Sequence, residues 1–253
     1  MPPAKSDEEM KTAGAAPEGT VDEKSAARAV QQMFDEIAPR YDLANHLLSM
    51  NVDRIWWSRA ARSFIEILRR PDARVLDLCC GTGDMATALR RRMLSSGVLF
   101  GADFSHEMLR RGRHKFAGHN IAAVEADALQ LPFRSNQFDL VTSAFGFRNL
   151  ANYDHGLREI HRVLRDGGEF GILDFNEPDG TWGKIYGFYF RNVLPKLGTL
   201  ISGVSGPYSY LPASVKQFPA PAEMLERMRA SGFTNLTWTP YTFGIAGLFR
   251  GRK

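Results

Sequence analysis

The sequence predicts an α/β domain built on a mostly parallel sheet with helices on both faces. Three observations predict it. Residues 75–89, VLDLCCGTGDMATAL, pass from an apolar run through Gly81-Thr82-Gly83 into a helical pattern. That is the order of a buried parallel strand, a tight turn and a helix start. Two more runs, GVLFGADFS and FDLVTSAFGFRNL, each break into a polar turn. Stretches of helical periodicity alternate with these strands, which is the rhythm of an α/β sheet.

The 253 residues can bury one sizeable core with room for a small appendage. At 44% hydrophobic and 24% charged, the composition is that of a soluble globular protein. The net charge of +4 is mild and compatible with an anionic membrane surface. There is no dense basic stripe with interleaved aromatics, so nucleic acid is not expected as a partner. Cys79 and Cys80 are adjacent beside the glycine turn; they form no disulfide framework and read as small buried residues, which suits a reducing cytoplasm. The six histidines lack metal-ligand spacing, so no metal is expected. No signal-peptide stretch and no run of membrane-spanning length is found.

Residues 1–24, rich in Pro, Ala, Gly, Glu and Lys, are predicted to form a disordered tail ahead of one domain over 25–253. Residues 25–71 read as a helical cap. A first helix from Ser25 carries Val30, Met33, Phe34 and Ile37 on one face and stops at Pro39; two or three more follow, to Arg70-Pro71. The helix after Asp103 starts at Ser105, a good N-cap. NIAAVEADALQLPF holds another strand-like run. A helix is predicted over 154–164, closed by Asp166-Gly167-Gly168, and EFGILDF is the next strand. Residues 180–212 leave this rhythm: they are aromatic, Gly-rich and poor in acids, with helices predicted over 182–193 and near 197–202. Ala222 to Ser231 reads as a helix that Gly232 terminates. Residues 233–253 supply two final strands as an antiparallel edge.

The chemistry sits at the strand ends. Gly81 and Gly83 let the backbone approach a ligand closely, beside the free N–H groups of a helix start. Asp103, one βαβ unit downstream, can accept from two ribose hydroxyls. Gly81, Gly83 and Ala86 also satisfy G-x-G-x-x-A, so to this point a nicotinamide dehydrogenase fits as well. Asp77 is placed to take a cationic group, such as the amino end of a methionine moiety, where a pyrophosphate would be repelled. Asp127 can accept from an adenine amino group, beside Ala128. Strand ends carrying this set of groups resemble the class I S-adenosylmethionine (SAM) methyltransferases. The resemblance implies their Rossmann-like fold, with a mostly parallel seven-stranded sheet, and SAM as cofactor, with the Thr82 hydroxyl or N–H at the methionine carboxylate.

A narrower resemblance covers roughly residues 31–250. YDLANHLLSMNVDRIWW, LDLCCGTGD, LPFRSNQFD, AFGFRNL and REIHRVLRDGG stand in the order of the quinone-biosynthesis C-methyltransferases, which act on demethylmenaquinol or a polyprenyl methoxybenzoquinol. The chain departs from that family's common pattern at Ala44 (often Met), Asp53 (often His), Asp166 (often Pro) and Asp174-Phe175-Asn176 (often Glu-x-Ser). Ala144 stands where a serine is frequent, and Cys79 where the broader SAM motif has its first glycine.

The resemblance implies catalytic roles for Arg148 and Asn149 in a turn facing the cofactor's methyl group. The guanidinium would favour a quinol phenolate, and Asn149 would hold a quinol oxygen. Tyr41, Asp42 and Asn45, on the cap, are expected on the substrate side, closing over the sulfonium. The aromatic run from Trp182 to Phe190 reads either as a core-facing helix or as an apolar mouth for an isoprenoid tail, within a substrate-side insertion over 180–212. The activity so implied is SAM-dependent C-methylation of a polyprenylated quinol, demethylmenaquinol before the benzoquinol. Methylation of another small apolar acceptor and a non-catalytic SAM-binding accessory protein are the alternatives. The location implied is cytoplasmic, with peripheral contact at the inner face of the membrane.

Overall fold

The computed structural model of the chain describes residues 14–40, 51–178, Gly187 and 206–253, the side chains of residue 40 and of residues 206–209 excepted. Helix α1 (Glu23–Ile37) begins at Glu23 rather than Ser25 because Asp22 caps it. Asp22 Oδ1 accepts the Ser25 N–H at 2.7 Å, and the Ser25 hydroxyl accepts the Asp22 N–H at 3.0 Å. That reciprocal capping box satisfies two orphan donors of the first turn. A 3-10 turn follows at Ala38–Arg40. Helices α2 (Val52–Arg62) and α3 (Ile65–Leu68) complete the described part of the cap. Composition assigned residues 14–22 to the tail, yet Ala15 is buried and donates its N–H to the Leu150 carbonyl at 2.8 Å. A single tertiary hydrogen bond of this kind leaves no mark on composition. Residues 1–13 lie outside the described residues.

From Arg74 the chain alternates. Strand β1 (Arg74–Leu78) leads to α4 (Asp84–Arg90), β2 (Val98–Asp103) to α5 (His106–Gly118), and then come β3 (Ala122–Glu125) and β4 (Phe138–Ala144). Helix α6 (Tyr153–Val163) runs directly into β5 (Leu164–Phe175). Helices α7 (Gly206–Gln217) and α8 (Pro221–Ala230) precede β6 (Thr234–Tyr241) and β7 (Ala246–Arg252). The strands form one 7-stranded sheet in the order β3-β2-β1-β4-β5-β7-β6. β7 runs antiparallel to both β5 and β6, so the expected antiparallel pair is present. The last strand is the inner one of that pair. Its AGLF run is buried, whereas β6 is half exposed, and the strand that can be covered on both faces goes inside.

Alternation along the strands feeds two cores. Leu76, Val141 and Ile172 face one side, under α6 and α8; Val75, Leu140 and Leu173 face the other, under the cap and α4. Asp166-Gly167-Gly168, expected to close a helix, lies within β5 instead. Gly167, at φ 74°, donates its N–H to the Lys253 carbonyl, and the Lys253 N–H returns to Gly168, each at 3.0 Å. The chain's last residue thereby turns a loop-like glycine pair into sheet. Helix α7, which begins inside the stretch that leaves the rhythm, was not expected, and it contains Pro212. Burial of Ser214, Val215 and the following Phe218, whose ring meets Tyr153 edge-on, outweighs that penalty. The helices predicted over 182–193 and 197–202 lie outside the described residues.

β1 pairs with β2 on one side and β4 on the other. The chain moves outward from β1 to β3 and then returns to β4. This reversal is a topological switch point, where the loops at the carboxyl ends of neighbouring strands diverge and leave a crevice.

Candidate functional site

A cavity occupies that crevice, with about 700 Å³ of free space counting the part open to solvent. That is within the usual range for a small-molecule site. β1 contributes Leu78 and, just after its end, Cys79 and Gly81; β2 contributes Asp103 and, just beyond it, Phe104. The loop after β3 contributes Ala126 to Leu129, and the turn after β4 contributes Phe145, Gly146 and Asn149. Helix α1 lies across the opening with Ala27 and Phe34 in the lining. It is tied down there: Gln31 Nε2 donates to the Phe104 carbonyl at 2.7 Å, and the Ser105 hydroxyl donates to Asp35 Oδ1 at 2.6 Å. The apolar face of α1 was legible in the sequence. Its destination and the Gln31 and Asp35 ties were not, because their partners lie in a distant strand end.

Asp103 is the centre of the polar wall. Its Oδ2 accepts the Gly81 N–H at 2.8 Å and its Oδ1 accepts the Ser105 N–H at 2.9 Å. Each carboxylate oxygen keeps a lone pair after these bonds, enough for two neighbouring hydroxyls. Burial pushes the Asp103 carboxyl up to about 6, with the Asp35 charge adding to it and the backbone N–H groups opposing. Asp127 is exposed, and its Oδ1 accepts the Leu129 N–H at 2.8 Å, the geometry of an Asx turn. Ala128 is buried beside it in the lining. An apolar slot next to a carboxylate fits a nucleoside base, and paired acceptors at Asp103 fit its ribose. The residues present therefore fit SAM.

Other expected residues lie elsewhere. Asp77 is fully buried and is not part of the cavity lining; it belongs to the strand interior, where Oδ1 accepts from the Thr142 hydroxyl at 2.8 Å. Its Oδ2 has no partner of normal hydrogen-bond geometry, the Ala86 amide helping only weakly, and burial pushes the carboxyl up to about 7. Thr82 also stays out of the lining, with its hydroxyl 3.3 Å from Lys115 Nζ, because α5 packs over the turn there. Gly83, at φ 91°, faces α5 as well: a Cβ there would meet the Phe116 ring at 2.5 Å. The glycine turn reaches the cavity through Gly81.

Arg148, expected to act in the catalytic turn, is held inside the fold. Its guanidinium is 7% exposed and is paired with fully buried Asp174, Nη1 to Oδ1 at 3.0 Å. The Arg148 N–H donates to Asp174 Oδ2 at 3.1 Å, Nη1 also donates to the Phe145 carbonyl, and Nε donates to the Ser214 hydroxyl at 3.4 Å. A buried cation takes the nearest buried acid, so this charge folds back under its own turn. Asn149 does line the cavity. Tyr41, Asp42 and Asn45 lie outside the described residues, as does the aromatic run over 182–190 apart from Gly187.

Two residues of the wall hold left-handed backbone without being glycine: Cys79 at φ 53° and Phe145 at φ 59°, at the ends of neighbouring strands β1 and β4. Such strain persists only where the surroundings impose it. The Phe145 ring packs on Phe175 at 4.6 Å and near Trp56 at 5.8 Å. Gly146 makes the close approach between the two turns, since a Cβ there would lie 2.3 Å from the Cys79 Cβ. Both cysteines are free, and burial holds their thiols well above the usual range.

The family model described as the ubiE/COQ5 methyltransferase family matches residues 20–253. The demethylmenaquinone methyltransferase of Deinococcus radiodurans is 45% identical over 235 residues, 92% of this chain and 95% of that one. The demethylmenaquinone methyltransferase of Thermus thermophilus is 47% identical over 224 residues, 87% of this chain and all of that one. The ubiquinone/menaquinone biosynthesis C-methyltransferase of Geotalea daltonii is 41% identical over 88% of this chain and 96% of that one. Among solved structures, a SAM-dependent methyltransferase from Thermotoga maritima matches with TM-score 0.62 at 17% identity, over 88% of this chain and 99% of that one. That likeness shows the fold; the sequence relatives show more. With the switch-point cavity and its SAM-compatible wall in place, the chain belongs to the ubiE/COQ5 methyltransferase family.

Proposed function

We propose that this methyltransferase moves a methyl group from SAM to a ring carbon of a polyprenylated quinol, with demethylmenaquinol as its acceptor. The observation that carries the reading is identity of 45% and 47% to two demethylmenaquinone methyltransferases across nearly their whole length. The benzoquinol is kept as a second acceptor, because relatives at 41% identity are named for ubiquinone and menaquinone biosynthesis together.

When bound, SAM supplies an electrophilic methyl group on sulfur. The protein's own part is positioning and exclusion of water, the means by which an in-line transfer gains most. Asp103 would hold the ribose hydroxyls, Asp127 and Ala128 the adenine, and the Gly81 backbone would allow close approach. Phe34 and the rest of the α1 face would keep water out. Asn149 would hold the acceptor's oxygen. Arg148 would act through the turn, holding Asn149 and Phe145 in place with Asp174. Electron density for attack would come from the reduced ring, whose hydroxyl lies next to the attacked carbon. Roles for Tyr41, Asp42 and Asn45, and the tail-binding role of residues 180–212, rest on the sequence resemblance alone.

An acceptor this apolar would be met at a membrane surface. No described helix is long and apolar enough to cross a membrane, so the contact would be peripheral. Exposed Ile55 and Phe243, at 64% and 79%, offer apolar anchors of the kind that give weak attachment. The test is methyl transfer from labelled SAM to a short-tail demethylmenaquinol carried in anionic vesicles. The reduced form is methylated and the oxidised quinone is not, and part of the protein sediments with the vesicles at low salt. Equal rates on both redox forms would overturn the ring-activation argument, and activity on the benzoquinol alone would reverse the choice of acceptor.

A further inference from the structure

The Asn149 side chain has a partner from a distant helix. Tyr210, on α7, donates its hydroxyl to Asn149 Oδ1 at 3.2 Å. Asn149 lines the cavity, and its backbone N–H is already bonded to the Gly146 carbonyl at 3.0 Å. A side-chain amide has two chemically distinct ends, a carbonyl that accepts and an NH2 that donates. Tyr210 holds the carbonyl end through one of its two lone pairs, and no described residue holds the NH2, which can meet a molecule in the cavity.

We propose that Tyr210 is a positioning residue for methyl transfer, its hydroxyl holding the Asn149 amide so that the NH2 points at the acceptor oxygen next to the attacked carbon. The proposal rests on the quinol reading above and deepens it. The terminal torsion of asparagine is broad and nearly two-fold, so an unanchored amide presents either end. One end donates to an oxygen that gains negative charge as the ring attacks; the other sets a carbonyl dipole against it. A donor aimed in advance at developing charge lowers the barrier, and an amide that must first turn does not.

Among the described residues, Tyr210 is the side chain hydrogen-bonded to the Asn149 amide. The turn itself is held from below by Asp174, which accepts from the Arg148 backbone and guanidinium. It is held from the side by the Tyr153 hydroxyl, which donates to the Arg148 carbonyl at 3.0 Å. Helix α7 adds Ser214, whose hydroxyl accepts from Arg148 Nε and donates to the Leu211 carbonyl at 2.9 Å. The same helix therefore grips consecutive residues of the turn, the backbone-fixing Arg148 through Ser214 and the cavity-facing Asn149 through Tyr210. Burial pushes the Tyr210 hydroxyl up to about 12, so it stays a protonated donor through the neutral range.

The experiment is a double-mutant cycle of Tyr210→Phe and Asn149→Ala, read as kcat and KM for the reduced naphthoquinol and as SAM affinity by titration. Tyr210→Phe lowers kcat about tenfold, the loss expected when one oriented hydrogen bond is removed. KM moves less than kcat, and SAM affinity stays within about twofold. In the Asn149→Ala background, Tyr210→Phe adds no further loss, because the residue acts only through the amide. An acceptor-free readout accompanies it. The side-chain NH2 resonances of Asn149, assigned by their absence in Asn149→Ala, shift or broaden in Tyr210→Phe. Unchanged kcat, equal losses in both backgrounds, or unaltered amide resonances would each overturn the proposal. If the wild-type enzyme methylated no quinol at all, the substrate reading would fail while the amide resonances still decided the role of Tyr210. Should Tyr210→Phe fold poorly, Asn149→Asp serves instead: it is near isosteric and has no N–H to offer. It loses at least as much kcat as Asn149→Ala, and retention of activity would refute the donor role.

Discussion

The two ends of the cavity hold their charged residues in opposite ways. At the β2 end, Asp103 is fixed by backbone N–H groups of Gly81 and Ser105 and lines the cavity. At the β4 end, Arg148 is turned away, bound to Asp174 of β5 and to Ser214 of α7. The difference follows from side-chain length. A carboxylate one carbon from the backbone is oriented by donors within its own and the adjoining turn. A guanidinium on a long stem reaches whatever acid is nearest, and a buried cation cannot be left without one. The cofactor end is therefore built from local backbone geometry, and the acceptor end from a network that gathers β5, α7 and the turn. Breaking each end should then have a different signature.

The largest effect is expected at the network. Asp174→Ala leaves the buried Arg148 charge unpaired and should destabilise the fold by about 3–5 kcal/mol, measured by denaturant unfolding. A loss below about 1 kcal/mol would mean that the pair does not anchor the turn and that Arg148 is available to the cavity after all. At the other end, Asp103→Asn sets an NH2 against one of the two backbone N–H groups, which should cost the fold about 1–3 kcal/mol. It should weaken SAM by one to two decades, since charged hydrogen bonds are worth roughly 1.5–3 kcal/mol. Calorimetric titration decides it, and unchanged affinity in a folded variant would remove Asp103 from the ribose.

The same residue gives a pH signature. With its carboxyl near 6 in the free enzyme, Asp103 loses its charge as pH falls from 7 to 5, and SAM affinity should drop by about tenfold across that window. The slope should be absent in Asp103→Asn. Stability runs the other way. The folded carboxyl holds its proton more tightly than an unfolded one near 3.9, so its contribution to stability is full below that value and is lost as pH rises through about 6. Weak binding at pH 5 is therefore not a sign that this carboxyl is unfolding the protein.

A last variant tests whether the β1 and β4 turns meet. Gly146→Ala sets a methyl 2.3 Å from the Cys79 Cβ and should cost about 1–3 kcal/mol by overpacking. Cys79→Gly removes that obstacle and the left-handed strain together, so most of the cost should vanish in the double variant. Equal costs in both backgrounds would show that the β1 and β4 turns do not bear on each other.

Asp103, Asp127, Ala128 and Gly81 were legible because a residue at the end of a parallel strand, followed by a turn, is delivered to the carboxyl edge of the sheet wherever the strand sits. Asp77, Thr82 and Gly83 belong to the same motif but not to the cavity wall. Strand alternation puts Asp77 against Thr142, and α5 packing claims the other two. Tyr210 could not have been read at all. It stands 61 residues from its partner, in a helix containing a proline, and no local spacing links the two.

The sequence by itself determined the strand–turn–helix order, the apolar face of α1, the Ser105 N-cap and the carboxylates at the β2 and β3 ends. Each is written in side-chain periodicity or turn chemistry over a few residues. Only the tertiary structure decided that β7 lies inside β6, that α1 lies over the cavity, and that Asp174 rather than a ligand receives Arg148. It also decided that α7 reaches the reaction turn. These outcomes depend on which distant faces bury one another and which buried charge finds which partner. They are settled by the sum of many contacts across the sheet, which no short window of sequence contains.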